Sequence, residues 1–161
     1  MVNPDGSAAL QRYNECGETL VASVVAAVWG VSASPDAFRA AVHGPAGSAL
    51  TTAGDLVAML AYANVLGTAH SGSVGELRLV VEAVTRDDRG VLLLGTWPTP
   101  GNALHWLLAT GSDAGRLEYL NPWGGVRSWL LWPDVAPLFA GSWVQVAAHY
   151  HVDCSRRPLP W

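Results

Sequence analysis

The sequence predicts an α+β fold in which helices come first and pack on an antiparallel sheet built from the second half of the chain. Three observations carry that prediction. Apolar residues recur at the helical period up to about residue 89. From Val91 the pattern changes to short β-rich segments bounded by Gly, Pro, Asn and Asp. The joins between those segments are tight, which makes successive strands antiparallel neighbours.

The elements follow in order. Thr19 to Trp29 reads as a helix, with Cys16 at or near its N-terminus. "SASPDAFRAAVHG" opens with Ser34 as N-cap and Pro35 at the first helical position and closes at Gly44. "TTAGDLVAMLAYAN" places Leu56, Met59, Leu60 and Ala63 on one face. "SVGELRLVVEAVTRDDRG" starts at Ser73 with Glu76 three residues later, a capping-box arrangement, and ends at Gly90. The predicted strands are "VLLLGTW", "ALHWLLAT", "RLEYLNPW", "VRSWLLW" and "WVQVAAHY". One domain over residues 1–161 accounts for all of this, with a helical part at 14–89, a strand part at 90–151 and an irregular tail at 152–161.

Composition narrows the function classes. The net charge is −4 and the nine basic residues are scattered arginines, so no basic stripe exists to collect the phosphates of nucleic acid. The longest apolar run, Leu20 to Val31, is too short for a membrane span. "MVNPDGSAAL" lacks the basic segment of a secretory signal, which points to a cytoplasmic location or to a place in a particle. A reducing compartment in turn argues against a disulfide between Cys16 and Cys154.

The chemistry centres on Cys16. At a helix N-terminus the unpaired amides and the helix dipole favour negative charge, so a depressed thiol pKa is expected there. A cysteine nucleophile needs a base, and the base needs an orienter. His105 lies on one predicted strand and Asn121 ends the next, sixteen residues on. Pairing about a turn near Asp113 brings the two side by side at one sheet edge, where an amide oxygen fixes the tautomer of an imidazole.

These residues carry a resemblance. Gln11, Cys16-Gly17 opening a helix, His105 on a strand and Asn121-Pro122-Trp123-Gly124 after it resemble the papain-like cysteine peptidases. The branch that includes the bacteriocin-leader, or double-glycine, peptidases is the nearest. The resemblance covers residues 10–147 in element order. It implies a thiol peptidase (a hydrolase) with a Cys-His-Asn triad: Cys16 the nucleophile, His105 the general base and later the acid, Asn121 the orienter. Gln11, with the Cys16 amide, would form the oxyanion hole. A peptide or protein is the implied substrate, and neither metal nor cofactor is required. Two departures stand out. Gln11 lies one residue nearer the cysteine than is usual, and Asn121 replaces the Asp more common in the leader-peptidase branch.

Plainer readings exist for each residue. Cys16 fits a buried structural thiol, His105 a half-buried strand residue, Asn121-Pro122 a turn initiator and Gln11 a solvated side chain. Two rival functions share the pattern: a peptidoglycan amidase or endopeptidase with the same Cys-His chemistry, and a non-catalytic peptidase-like subunit of a larger assembly. "HYHVDC" sets His149, His151, Asp153 and Cys154 close together in a zinc-like cluster, though a surface strand and tail explains it without metal. Most of the eight tryptophans are expected in the core, with one or two at the rim of a cleft. Both chain ends look unable to order themselves. One or both are expected to dock on another chain, an identical copy or a partner in an assembly such as a virion, with Trp161 as anchor.

Overall fold

A computed structural model describes residues 16–44, 51–97, 104–122 and 126–150. Gln11, Trp123, Gly124, His151, Asp153, Cys154 and Trp161 therefore lie outside the described residues, as do the tail and the chain ends to which a docking role was assigned.

Among the described residues, five helices and six strands are arranged as N-terminal helices and an antiparallel sheet. Helices α1 (Cys16–Trp29), α2 (Pro35–His43) and α3 (Ala53–Tyr62) come first. Then follow β1 (Gly67–Ser71), α4 (Val74–Arg86), β2 (Val91–Gly95), β3 (His105–Asp113), β4 (Arg116–Asn121), β5 (Val126–Leu131), α5 (Trp132–Val135) and β6 (Phe139–Val146). The sheet order is β1-β6-β2-β3-β4-β5, with antiparallel pairing throughout.

Strand alternation separates two cores. Leu92, Trp106, Leu108, Leu120 and Val144 face α1, α2 and α3, where they join Leu20, Val24, Phe38, Leu56 and Leu60. The intervening residues Val91, Leu93, Leu107, Ala109 and Leu117 face α4 and α5, against Leu77, Val81, Val84 and Trp132. The period of two in each strand thus sends successive side chains to different cores. Helix α1 is buried almost all round, from Cys16 to Val28, which is why it is apolar on every face rather than amphipathic. Trp29 closes its far end by donating its indole N–H to the Ala63 carbonyl at 2.9 Å.

The helix ends follow local chemistry. Ser73 and Glu76 form the expected capping box, and Thr52 with Asp55 forms a second that the sequence reading did not identify. Ser34 is the N-cap of α2 by backbone geometry, but its side chain makes no capping bond. Helix α4 ends at Arg86, short of Gly90, because Asp88 takes a positive φ of 52° and turns the chain toward β2.

Three further differences concern strands. Residues 67–71, within the stretch read as helical, form β1, an edge strand whose polar, small residues leave four of five positions exposed. Such a strand is ordered by its pairing with β6, which no local pattern reveals. The segment between β5 and β6 contains the one-turn helix α5, opened by Pro133. The last strand stops at Val146, so His149 lies past it, 3.1 Å from Asp87 Oδ2. Among the described residues no helix is long and apolar enough to cross a membrane. Among the described tryptophans, Trp97, Trp106, Trp132 and Trp143 are buried, whereas Trp29 and Trp129 are exposed.

The start of α1 is set by a close approach. A Cβ on Gly17 would lie 2.9 Å from Thr51 Cβ and Cγ2 and 3.0 Å from Leu56 Cδ2. Gly17→Ala should therefore cost about 1–3 kcal/mol of stability through overpacking. Denaturant unfolding of the variant beside the wild type measures it, and an equal midpoint would mean that Thr51 yields freely.

Candidate active site

Cys16 is the first residue of α1, a free cysteine only 6% exposed. Its sulfur lies within a nest of backbone N–H groups: those of Trp106, Gly17 and Cys16 itself donate toward it. Trp106 follows His105 directly on β3, so the helix start and the strand start meet at the sulfur. The Trp106 indole N–H donates to the Thr51 carbonyl at 2.8 Å, and Thr51 is the residue against which Gly17 packs.

His105 is the first residue of β3 and is buried. Its Nε2 lies 2.9 Å from Asn121 Oδ1. An amide oxygen can only accept, so the ring nitrogen facing it carries the hydrogen and Nδ1 is left as an acceptor. The structure thus brings together His105 and Asn121, and it sets Cys16 against the residue beside His105.

The turn and a bulge arrange the pair. Strands β3 and β4 are joined through Ala114 and Gly115, with φ of 49° and 76°, the left-handed pair typical of a two-residue hairpin. Near the turn the register is Asp113↔Arg116 and Gly111↔Glu118, but beyond Thr110 it becomes Ala109↔Tyr119 and Leu108↔Leu120. Continued one pair, that register sets Asn121 opposite Leu107, on the same face as His105. Without the bulge, Asn121 would lie opposite Leu108 and face the other side of the sheet.

The electrostatics correct one expectation. Burial pushes the Cys16 thiol above its ordinary value, and the nearby Glu18 carboxylate pushes the same way. The three amides oppose this, with Trp106 first among them, yet the net direction is up and not down. Burial likewise lowers the His105 pKa, opposed by the bond to Asn121. Both directions favour the uncharged forms, a thiol at Cys16 and an imidazole at His105.

Glu18 is the residue that sequence reasoning passed over. It is 1% exposed, with Oε1 3.4 Å from Arg39 Nε on α2. Its position two residues after Cys16 was visible, but its burial was not, since a first-turn glutamate ordinarily faces solvent. Among the described residues no group of three or more His, Cys, Asp or Glu side chains is placed to hold a metal ion.

The chain matches no protein-family profile and no curated protein sequence. Solved structures do resemble it. The peptidase domain of Streptococcus ComA, a bifunctional ABC transporter involved in quorum sensing, superposes with a TM-score of 0.66 at 15% identity, covering 88% of this chain and 97% of that one. A double-glycine motif protease from an AMS/PCAT transporter, solved with its leader peptide, gives 0.63 at 12% identity, covering 86% and 88%. The N-terminal C39-like peptidase domain of a Vibrio parahaemolyticus toxin-secretion ATP-binding protein gives 0.56 at 14% identity, covering 88% and 100%. The fold is the papain-like fold of the C39 peptidase domains.

The two shifts predict a stability profile with two limbs. As pH falls below about 6.5, the unfolded chain takes up a proton that buried His105 refuses, so stability falls with pH until the folded value is reached. As pH rises past 9.0, the unfolded chain releases a thiol proton that Cys16 retains, and stability falls again. Melting temperatures across pH should show a shallower acid limb for His105→Gln and a shallower alkaline limb for Cys16→Ser. Unchanged limbs would contradict the burial argument.

Proposed function

We propose that this chain is a papain-like cysteine peptidase that hydrolyses an amide bond through an acyl-enzyme. The observation that carries the reading is the Cys16 sulfur resting on the Trp106 amide, one residue from a histidine whose Nε2 is held by Asn121. The shared fold of C39 peptidase domains supports it.

Cys16 attacks the substrate carbonyl while its proton passes to His105 Nδ1, so a carbon–sulfur bond forms as the thiol is deprotonated. The charge that develops on the carbonyl oxygen is met by the Cys16 amide and by the Gln11 side chain, which lies outside the described residues. His105 then protonates the leaving nitrogen as the carbon–nitrogen bond breaks. Water, deprotonated by the same ring, releases the acyl group and restores the thiol. Asn121 keeps the ring in the tautomer that allows both transfers. The chemistry is that of one domain spanning the chain, and none of its steps calls on a metal or cofactor.

A peptide is the substrate in this reading. One neighbour is a double-glycine motif protease solved with a leader peptide. A peptide with a double glycine before the scissile bond is therefore the first substrate to try.

Cys16→Ala and His105→Ala should abolish cleavage while the fold survives. Asn121→Ala should cost less than His105→Ala, within the roughly 10²–10⁴-fold that general acid–base catalysis supplies. Gln11→Ala should lose about 10²-fold if its amide meets the oxyanion. Peptide cleavage by mass spectrometry, with circular dichroism as the folding control, measures all four. Undiminished cleavage in Cys16→Ala would overturn the proposal. Release of fragments from purified cell wall, with no peptide cleaved, would favour the peptidoglycan alternative.

A further inference from the structure

Four large apolar side chains stand out of the surface around the C-terminal end of α3. Tyr62, its last residue, is 64% exposed, and Leu66, which leads into β1, is 69% exposed. Trp29 ends α1, is 52% exposed, and is tied to the same place by its indole bond to the Ala63 carbonyl. Val31, two residues on, is 56% exposed. Between the end of α3 and the start of β1, Val57, Ala61, Val65 and Leu66 line a depression of about 320 Å³ together with Asn64 and Gly67. Exposed apolar residues scattered singly need no account, but a cluster beside a groove marks a place of contact.

The two stretches of chain that supply this cluster carry no charge. No Asp, Glu, Lys or Arg occurs from Thr19 to Pro35 or from Leu56 to Gly75. Absence of charge and presence of aromatics is the composition of the core of a protein–protein interface. The aromatic anchors are also ordered in advance. The Trp29 indole is held by its hydrogen bond, and the Tyr62 ring meets Phe38 edge-on at 6.2 Å between centroids. Little rotamer freedom is then lost when they are covered.

We propose that this end of the molecule is the contact face of a homodimer, in which a second copy covers the exposed aromatics and fills the depression, and the reverse. A two-fold contact joins a surface to itself, so the surface has to be compatible with its own copy. A charge-free one is, because no like charges meet across the axis. A bilayer surface would call for basic residues beside the aromatics, but these segments have none and the chain stands at −4. The size also suits a dimer. Trp29 and Tyr62 each keep more than half of an aromatic surface of about 150–250 Å². With Val31, Leu66 and the depression, the total approaches the ~800 Å² that each partner buries in a specific interface. A dry cavity of about 150 Å³ already takes a benzene ring, so the depression has room for an aromatic side chain. Cys16 lies at the other end of α1, about 20 Å along its axis, so the contact leaves the candidate site free.

Analytical ultracentrifugation of the full chain across protein concentration tests this. The unaltered chain should pass from one to two copies per particle with a dissociation constant on the order of micromolar, as a contact of this size allows. Leu66→Glu and Tyr62→Asp place like charges in the contact and should each raise that constant at least about tenfold. Leu79→Glu, on α4 and as exposed as Leu66, is the control and should leave it unchanged. All three positions are on the surface, so the fold should survive, with circular dichroism as the check.

A chain that stays monomeric throughout would overturn the proposal, and so would a dimer that Leu66→Glu and Tyr62→Asp leave intact. A dimer weakened equally by Leu79→Glu would overturn it too, by assigning the association to apolar surface in general. A monomer that cosediments with phosphatidylcholine vesicles, and no longer does so in Leu66→Glu, would assign the face to a bilayer instead. None of these readings depends on whether the chain cleaves a peptide, so failure of the dimer and failure of the peptidase reading are told apart.

Discussion

Trp106 presents its backbone N–H to the Cys16 sulfur and its indole N–H to the Thr51 carbonyl, and Thr51 fills the space that Gly17 leaves open. Three separate segments are locked by that one residue: the start of α1, the chain leading into α3, and the first residues of β3. The bonds are buried, so losing either strands a polar group away from water at about 1–3 kcal/mol. Because His105 precedes Trp106, the lock also fixes where the imidazole can be. The rest of the sheet supports this junction. Trp106 and Leu108 face the core shared with α1, while Leu107 and Ala109 anchor the same strand to α4 on the other side.

A neutral thiol and a neutral imidazole are consistent with the proposed catalysis if the proton moves during attack. Burial raises the cost of charge on both groups, so a preformed thiolate–imidazolium pair is disfavoured at rest. The same burial leaves His105 unprotonated near neutral pH, which is the state a general base requires. The amide nest does not have to ionise the sulfur in advance. In the proposed reaction it would offer donors oriented in advance, and such donors gain value as negative charge develops in a dry site.

The helices and most strands were legible because their signals are local. Ser73 and Glu76 cap a helix through residues three apart, and Val91 to Gly95 is apolar enough to name itself a buried strand. Residues Gly67 to Ser71 carry no such signal and become a strand only when β6 lies alongside. In the candidate site, the pairing of His105 with Asn121 and the place of Cys16 at the start of α1 were legible from residue type and order. The direction of the thiol shift was not, since a helix N-terminus argues for a lower value and only tertiary burial reverses it. Glu18 failed for the same reason: its burial comes from α2, brought against α1 through Arg39. Gln11 and the cluster around His151 lie outside the described residues. His149 itself is bonded to Asp87 instead of standing on a strand face.

The sixteen-residue spacing between His105 and Asn121 works through a detail that counting residues cannot supply. A regular hairpin about Ala114-Gly115 would keep the register of Asp113↔Arg116 and send Asn121 to the face opposite His105. Thr110 is the additional residue that breaks this parity, since Ala109 pairs with Tyr119 while Gly111 pairs with Glu118. The bulge cannot be removed by a compensating slip in β2, where Val91↔Ala109 through Gly95↔His105 is unbroken and already sorts side chains between two cores. The correction therefore has to lie between Ala109 and the turn, which is where it is found. A distortion of one residue in the outer part of the hairpin thus lets one strand serve two cores and still present its first residue to Asn121. The site geometry is in this sense a consequence of how the hairpin is wound and not of the spacing alone.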